Sequence, residues 1–321
     1  MIGKVPQEDL EAYVLGRTGA TDDRVVQGPA YGEDTAAVRV GGEVLVVNTD
    51  PISLAVDRVG TLGVTVAAND VAASGARPVW VTVAIFLPTP EAAVLDDITA
   101  QLDETARDLG IAIVGGHSEY APALETPMLV LTCLGLTDRY VSTGGARPGD
   151  AIVMTKAAAI EGTAILASDF VDRLDDVAPE VIERARRLYA SVSVVAEAAK
   201  ATPYASAMHD PTEGGLLNGL IELAVASGVV LRVDEDAIPI RAETEALCAA
   251  AGVDPMRIFG SGALLATVPE ESIEPLQATL RAAGIEHAVI GTVEAGPEPA
   301  LVLGDQRFTG PIRDDMYALW A

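Results

Sequence analysis

Lysine is nearly missing from this chain of 321 residues: Lys4, Lys156 and Lys200 are all it has. Basic residues number 21 against 47 acidic ones, which leaves a net charge of −26. A surface that acidic repels free polyanions, so nucleic acid is not an expected partner. Aromatics make up only 4%, so the core must be built from Ala, Val, Leu and Ile. Cysteine is scarce as well. Cys133 and Cys248 lie far apart inside apolar stretches and read as buried free thiols, not as a disulfide or zinc ligands. With 3 histidines, a histidine-rich metal centre is excluded. No apolar run approaches the ~18 residues that span a bilayer. The start, MIGKVPQEDLEAY, has neither the basic residues nor the apolar run of a signal peptide. Together these absences predict a cytoplasmic protein with no membrane segment.

What is present suits two domains, because 321 residues exceed one typical core. The Gly/Pro-rich stretch Thr143–Asp150 (TGGARPGD) is the expected boundary, giving domains 1–145 and 146–321. In the first, Ala36–Val40 and Val44–Asn48 read as a hairpin around Gly41-Gly42. Val59–Ser74 reads as an Ala-rich helix ended by Gly75, and Val79–Leu87 as a strand buried on both faces. Pro90–Gly110 has the apolar spacing of an amphipathic helix. Ile111–Val114 reads as a strand entering a GGHSE turn. In the second domain strands and helices alternate from Ala151 to Val293, so layered α/β structure follows.

Familiar catalytic signatures are missing. There is no GxxxxGK[ST] or GxGxxG phosphate motif, no GxSxG elbow and no HExxH. Carboxylates remain, and scattered carboxylates fit a hard cation such as Mg2+, which bridges to phosphates. Asp34, Asp50 and Asp70 each end or interrupt an apolar segment, where an unpaired carboxylate is costly. Asp70, with Asn69, sits in the stretch AANDVAASGARP among small apolar neighbours. The alternative for each is ordinary: a helix cap or a turn, as for Asp50 before Pro51. In the second domain MHDPTEGG precedes a helix that Thr212 or Glu213 can cap, and Gly214-Gly215 lets backbone amides approach an anion. Lys156, with Glu161-Gly162-Thr163, is a second candidate anion nest. Simple loop–helix geometry is the alternative at each glycine turn.

In this order, GEDTAAV, NTDP, NDVAASGARP, GGHSE and MHDPTEGG resemble the superfamily of aminoimidazole ribonucleotide (AIR) synthetase. It also holds thiamine monophosphate kinase, selenophosphate synthetase and the hydrogenase maturation dehydratase. The stretches TDPISLAVD, GGHSE and AIEGTAIL look most like its archaeal-type hydrogenase-maturation-like members. The resemblance runs from about Gly32 to Thr267. It implies a two-domain α+β fold: a small N-terminal sheet with helices that pairs with its twin into a dimeric β-barrel, and a C-terminal α/β sandwich. It implies ATP and Mg2+ in the cleft between domains and across a homodimer. By motif position Asp34, Asp50 and Asp70 would hold Mg–ATP, with Asn69 and Thr49 nearby. Asp210 would face the phosphates or the acceptor, and Gly214-Gly215 would cradle an anion. Lys156, Gly115 and Gly116 complete the expected cofactor contacts.

The chain departs from that pattern at two places. After Gly115-Gly116, several members carry an acidic metal ligand, and here the position is His117. Either Glu119 substitutes as the ligand or metal binding differs; His117 joins Asp210 as a candidate catalytic residue. The C-terminal stretch GPIRDDMYALWA has no cysteine of the kind the maturation dehydratase modifies, and the reactive Cys/Lys loop of selenophosphate synthetase is absent. The expected function is ATP-dependent phosphoryl transfer to an oxygen, such as an amide oxygen, of a small-molecule acceptor. The alternative is a non-catalytic ATP-binding factor with a maturation protein as partner.

The charge carries its own expectation. A net charge of −26 suits a cytosol of very high salt, where screening removes self-repulsion; the alternative is an ordinary acidic protein. On the halophilic reading the melting temperature rises steadily through a KCl series. A flat or falling series in differential scanning calorimetry removes that reading.

Overall fold

The computed structural model describes residues 3–54 and 57–320. Ala55 and Val56, within the TDPISLAVD stretch, lie outside the described residues. A short helix, α1 (Gln7–Tyr13), precedes a six-stranded sheet. Its strands are β1 (Val25–Gln27), β2 (Ala36–Val40), β3 (Glu43–Ile52), β4 (Arg77–Leu87), β5 (Ala112–Tyr120) and β6 (Met128–Thr137). Their order is β1-β2-β3-β6-β4-β5, and only β4 and β5 run parallel. The hairpin of β2 and β3 is the one expected, but β3 continues past Asn48 to Ile52. The sheet is open; the barrel expected with a twin is not formed by one chain.

Two helices, α2 (Val59–Ala73) and α3 (Ala92–Leu109), cover one face of this sheet. Strand alternation decides which side chains meet them. Leu129, Leu131 and Cys133 of β6 and Val81, Val83 and Ile85 of β4 pack against Val64, Ala68 and Val71 of α2. Cys133 and Cys248 are both buried and free, as their apolar settings predict.

Helix α2 is apolar all round because it is buried all round: only Thr61 of its fifteen residues is not buried. One side meets the sheet. The other belongs to the second half of the chain, where Leu62 packs with Ile160 and Phe259, and Ala72 and Ala73 with Val194 and Ala198. Small residues permit this. A Cβ on Gly60 would lie 2.7 Å from the Ile98 carbonyl oxygen of α3.

The second half builds a seven-stranded sheet from β7 (Ala151–Thr155), β8 (Ala207–His209), β9 (Val230–Val233), β10 (Leu265–Val268), β11 (His287–Glu294), β12 (Ala300–Leu303) and β13 (Gln306–Phe308). The order is β13-β12-β9-β11-β7-β10-β8, and only β9 and β12 are parallel. Alternating strands and helices therefore give a largely antiparallel sheet here. The helices are α4 (Ile160–Asp169), α5 (Pro179–Arg186), α6 (Val195–Ala201), α7 (Gly215–Ser227), α8 (Ala242–Ala251) and α9 (Glu270–Ala282). They cover both faces. On β7, Ile152 and Met154 face α7, while Ala151 and Val153 join the cluster of α6 and α9. The architecture is thus α+β, in two sheet-and-helix layers that share α2.

Candidate carboxylate and metal site

The site lies on the seam between the two halves, and the GEDT tetrapeptide places its first ligand. Each of its residues is tied to a different element. Gly32 adopts φ +80°, and a Cβ there would sit 3.0 Å from the Glu222 carbonyl oxygen of α7. The Glu33 carboxylate accepts hydrogen bonds from the backbone N–H of Thr143 (3.3 Å) and Gly144 (3.0 Å) and from the Ser142 hydroxyl, all in the linker. Thr35 shares a 2.7 Å hydrogen bond with Ser74. Asp34 is left between them, aimed at His209 of β8, whose Nδ1 lies 3.3 Å from Asp34 Oδ2.

Asp50 and Asn48 share the α2-facing side of β3, because they are two residues apart. Asn48 Nδ2 donates to Asp70 Oδ2 at 2.6 Å, to Asp50 Oδ2 at 3.2 Å and to the Asp34 carbonyl at 3.3 Å. Asp210 arrives from the second half, directly after β8. One ligand oxygen each from Asp34, Asp70 and Asp210 lie within 4.8 Å of one another. Asp70 and Asp210 are buried at 2% and 1% exposure.

Like charges this close oppose ionisation. Burial and then the charges of Asp210, Asp50 and Asp34 hold the Asp70 carboxyl well above the usual carboxylate range. Burial pushes Asp210 up to about 8, with Asp34 adding and His209 opposing. Burial would raise Asp34 too, but the hydrogen bond and charge of His209 outweigh it and hold Asp34 low. His209 is itself sandwiched: its Nε2 lies 3.1 Å from Glu222 Oε2. Burial opposes its charge, yet the two carboxylates raise it to about 10. Lys4 Nζ adds a second cation, 3.4 Å from Glu222 Oε1.

The residues fit a hard divalent cation. Both side-chain oxygens of Asp210, Asp70 Oδ1 and Asn48 Oδ1 are buried acceptors with no hydrogen-bond partner among the described residues. Buried oxygens of that kind normally have a partner, and an oxygen-seeking cation supplies one to several at once. The cluster opens into a cleft of about 420 Å³. Asp34, Asp50 and Asp70 line one end, and Ile52, Leu54, Phe259 and Trp320 form an apolar wall.

Other expected contacts lie elsewhere. Thr49 points to the opposite face of β3, where its hydroxyl meets that of Thr132 at 2.9 Å; the period of a strand separates it from Asp50. Asn69 is one residue from Asp70 but turns to the second half. Its Nδ2 donates to the Val192 carbonyl (2.9 Å) and its Oδ1 accepts from Val194 N–H (2.8 Å). Lys156 is no open anion nest: its ammonium donates to the Ser191 and Ser193 carbonyls and pairs with Glu197 at 2.8 Å. Gly214-Gly215 starts α7, yet both amides are taken. Gly214 N–H bonds Asp314 Oδ2 (2.8 Å), and Gly215 N–H bonds the Thr212 carbonyl (3.0 Å). Neither Thr212 nor Glu213 caps this helix; its N-cap is Gly214. GGHSE is not a turn but part of β5, the exposed edge of the first sheet. Gly115, Gly116, His117 and Glu119 are three strands from β3, roughly 14 Å at the spacing of a sheet. There His117 Nε2 lies 3.3 Å from Glu119 Oε2.

His209, Glu222, Asn48 and Lys4 were not singled out in the sequence. The signal for His209 was its place beside Asp210 in MHDP. Nothing local marks Lys4, which reaches the seam from more than two hundred residues away.

This architecture, an open mixed sheet and a second mixed sheet with a carboxylate seam between them, defines a class of two-domain α+β proteins. The chain belongs to the AIR synthase related family. The family's N-terminal domain model matches residues 32–137 and its C-terminal domain model residues 147–304. A putative hydrogenase expression/formation protein of Methanocaldococcus jannaschii is 29% identical over 296 residues, covering 87% of this chain and 84% of that protein. A selenide, water dikinase of Geobacter metallireducens is 34% identical over 254 residues, covering 77% and 72%. Among solved structures, ThiL complexed with AMPPCP and TMP matches with a TM-score of 0.73 at 22% identity, over 87% of this chain and 90% of that one. Hydrogenase maturation protein HypE in complex with ATP matches with a TM-score of 0.68 at 24% identity, over 96% and 92%. No described helix is long and apolar enough to cross a membrane.

Two measurements probe the seam. Replacing His209 by Ala leaves Asp34 and Glu222 facing each other with one fewer cation. The expected cost is roughly 3–5 kcal/mol in urea unfolding, the usual result of breaking a buried ion pair. Glu161, on the cleft wall, tests the pH dependence. Burial pushes it from 4.5 to about 7. Its folded pKa lies above the unfolded one, so its stabilising contribution is full below about pH 4.5 and is lost as pH rises through about 7. At ~1.4 kcal/mol per pKa unit the loss is at most roughly 3–4 kcal/mol. The Glu161→Gln protein should lack that part of the slope in a pH series of unfolding free energies.

Proposed function

We propose that this chain is an ATP-dependent enzyme that transfers a phosphoryl group to an oxygen of a small-molecule acceptor. The observation that carries the reading is the convergence of Asp34, Asp70 and Asp210, with Asp34, Asp50 and Asp70 lining the cleft between the halves. The unpartnered oxygens of Asp70 and Asp210 suit Mg2+, which Asp34, Asp70 and Asp210 would hold. Mg2+ neutralises phosphate charge, which is most of what catalysis of phosphoryl transfer requires. The chain's own residues supply the rest. His209 and Asn48 hold the carboxylates at fixed spacing, so no reorganisation is needed when the nucleotide arrives. The apolar wall of Ile52, Leu54, Phe259 and Trp320 excludes water from the far end of the cleft. The named ligands of the ThiL and HypE structures support ATP as the donor.

A homodimer is part of the same reading. The face of the first sheet away from α2 and α3 is uncovered. Strands β3, β4 and β6 show Val47, Thr49, Trp80, Thr82, Ala84, Phe86, Val130, Thr132 and Leu134 there, and no charge among these. In a chain of net charge −26, an uncharged apolar face is where two copies can meet without repulsion. The free edge β5, with Ile113, Val114 and Tyr120 at 43%, 57% and 50% exposure, borders that face. A second copy seated there would cover His117 and Glu119.

The decisive variant is Asp70→Asn. It removes a cluster charge without changing shape. Calorimetry should show Mg–ATP affinity falling by at least tenfold, and acceptor-dependent ATP turnover should fall with it. Normal Mg–ATP binding by this variant would refute the assignment. Tight binding by the unaltered protein with no turnover over an acceptor panel would favour the non-catalytic maturation factor.

A further inference from the structure

A second cavity, of about 240 Å³, lies behind the first. The two are separated by the N-terminal segment, and Lys4, Val5 and Glu213 line both. That partition is held in place from below. Gly3 adopts φ +113° and lies so close to the Tyr317 ring that a Cβ would collide with it. Tyr317 in turn donates a hydrogen bond to Glu213 Oε2. The carboxylate cluster opens only into the larger cavity; Arg313 and Tyr31 line only the smaller.

The chemistry of the smaller cavity follows from which polar groups are already engaged. Glu222 is bonded to both His209 and Lys4. Asp314 accepts from Gly214 N–H and Met316 N–H. Asn218 accepts from Ile312 N–H and donates to the Glu213 carbonyl. Arg313 is different. Its guanidinium carbon stands 5.9 Å from the centroid of the Tyr317 ring, and it has no acidic or hydrogen-bonding partner among the described residues. The rest of the wall includes Val5, Pro6, Leu10 and Ile312. The unspent capacity is therefore a forked cationic donor at the rim of an apolar chamber, which is the arrangement that binds a carboxylate or phosphate.

We propose that this second cavity is a separate binding site for a compact molecule with an apolar body and one anionic group bound by Arg313. The volume decides between the two chambers. At about 240 Å³ the smaller is below the usual range for a drug-sized ligand and has no room for a nucleotide. Lys4 stands where the two chambers meet, with its ammonium 3.5 Å from Thr212 Oγ1 and 3.4 Å from Glu222 Oε1. A ligand in the second chamber thus has a cation between it and the carboxylates, which offsets their repulsion of its anion.

The test uses the full chain, with phenyl phosphate as the probe and Mg–AMPPCP as a separate titrant. Calorimetry should give one phenyl phosphate site per chain, filled equally well with or without saturating Mg–AMPPCP. Arg313→Ala, at an exposed position, should weaken the probe about tenfold or more, as loss of a charge-assisted pair does. Leu10→Trp, which fills the chamber and keeps the arginine, should abolish binding. Absence of probe binding, equal binding to Arg313→Ala, or displacement of the probe by Mg–AMPPCP would overturn the separate anion site. If instead Mg–AMPPCP fails to bind while the probe binds as described, the donor reading falls and the anion chamber stands.

Discussion

Everything at the seam depends on holding several carboxylates within one small volume. Two unit charges 4.8 Å apart repel by roughly 3–4 kcal/mol at the effective dielectric of a protein. Three such pairs cannot all ionise without countercharge. The chain answers in three ways. His209 is a buried imidazolium between Asp34 and Glu222; Lys4 approaches from the N-terminal segment; burial and mutual repulsion hold the Asp70 and Asp210 carboxyls above the usual carboxylate range. A bound dication would replace the last of these. The site is therefore arranged for a charge it does not itself contain, a common reason for acidic groups to be tolerated in burial.

Helix α2 shows how sequence composition serves that site. It carries Asp70, so it must lie on the seam, and a seam helix meets apolar surface on every side. Glycine and alanine let it fit between α3, the first sheet and the second half of the chain. Asn69 then fixes its rotation. Its amide bonds the backbone on both sides of Ser193, while Lys156 holds the carbonyls of Ser191 and Ser193 from the other direction. The same short segment thus receives one clamp from each half. Asp70 is held at a fixed distance from Asp210 because the residue before it is engaged in structure.

This is also why part of the site was legible in the sequence and part was not. Asp34, Asp50 and Asp70 stood out because a carboxylate breaking an apolar run needs a reason, and the structure brings the three to one cleft together with Asp210. Thr49 and Asn69 were drawn in by adjacency, and adjacency misleads: one position along a strand or helix changes the face. The glycines of MHDPTEGG were read as open amides, but the segment 312–316 packs over them and takes one of their donors, a long-range fact that no local pattern carries. Lys4 reaches the site by the same kind of long-range contact. The elements themselves were mostly visible, since apolar periodicity is local. The exceptions include β1, the short hairpin of β12 and β13 around Gly304-Asp305, and the continuations of β3 and β5.

The GGHSE stretch connects the charge of the molecule to its assembly. Gly116 has no room for a side chain against Val83 of the neighbouring strand, so the pairing of β5 with β4 requires glycine here. The strand it permits leaves an edge and a face that are nearly free of the acidic residues crowding the rest of the surface. Scarcity of charge on one face of so acidic a chain is not what composition alone would give. Such a face would let copies meet against a large net repulsion through apolar and threonine side chains, with acids at the rim screened by solvent and salt. His117 and Glu119 sit at that boundary. They pair with each other on an edge strand three strands from β3, so neither side chain joins the seam within a single chain.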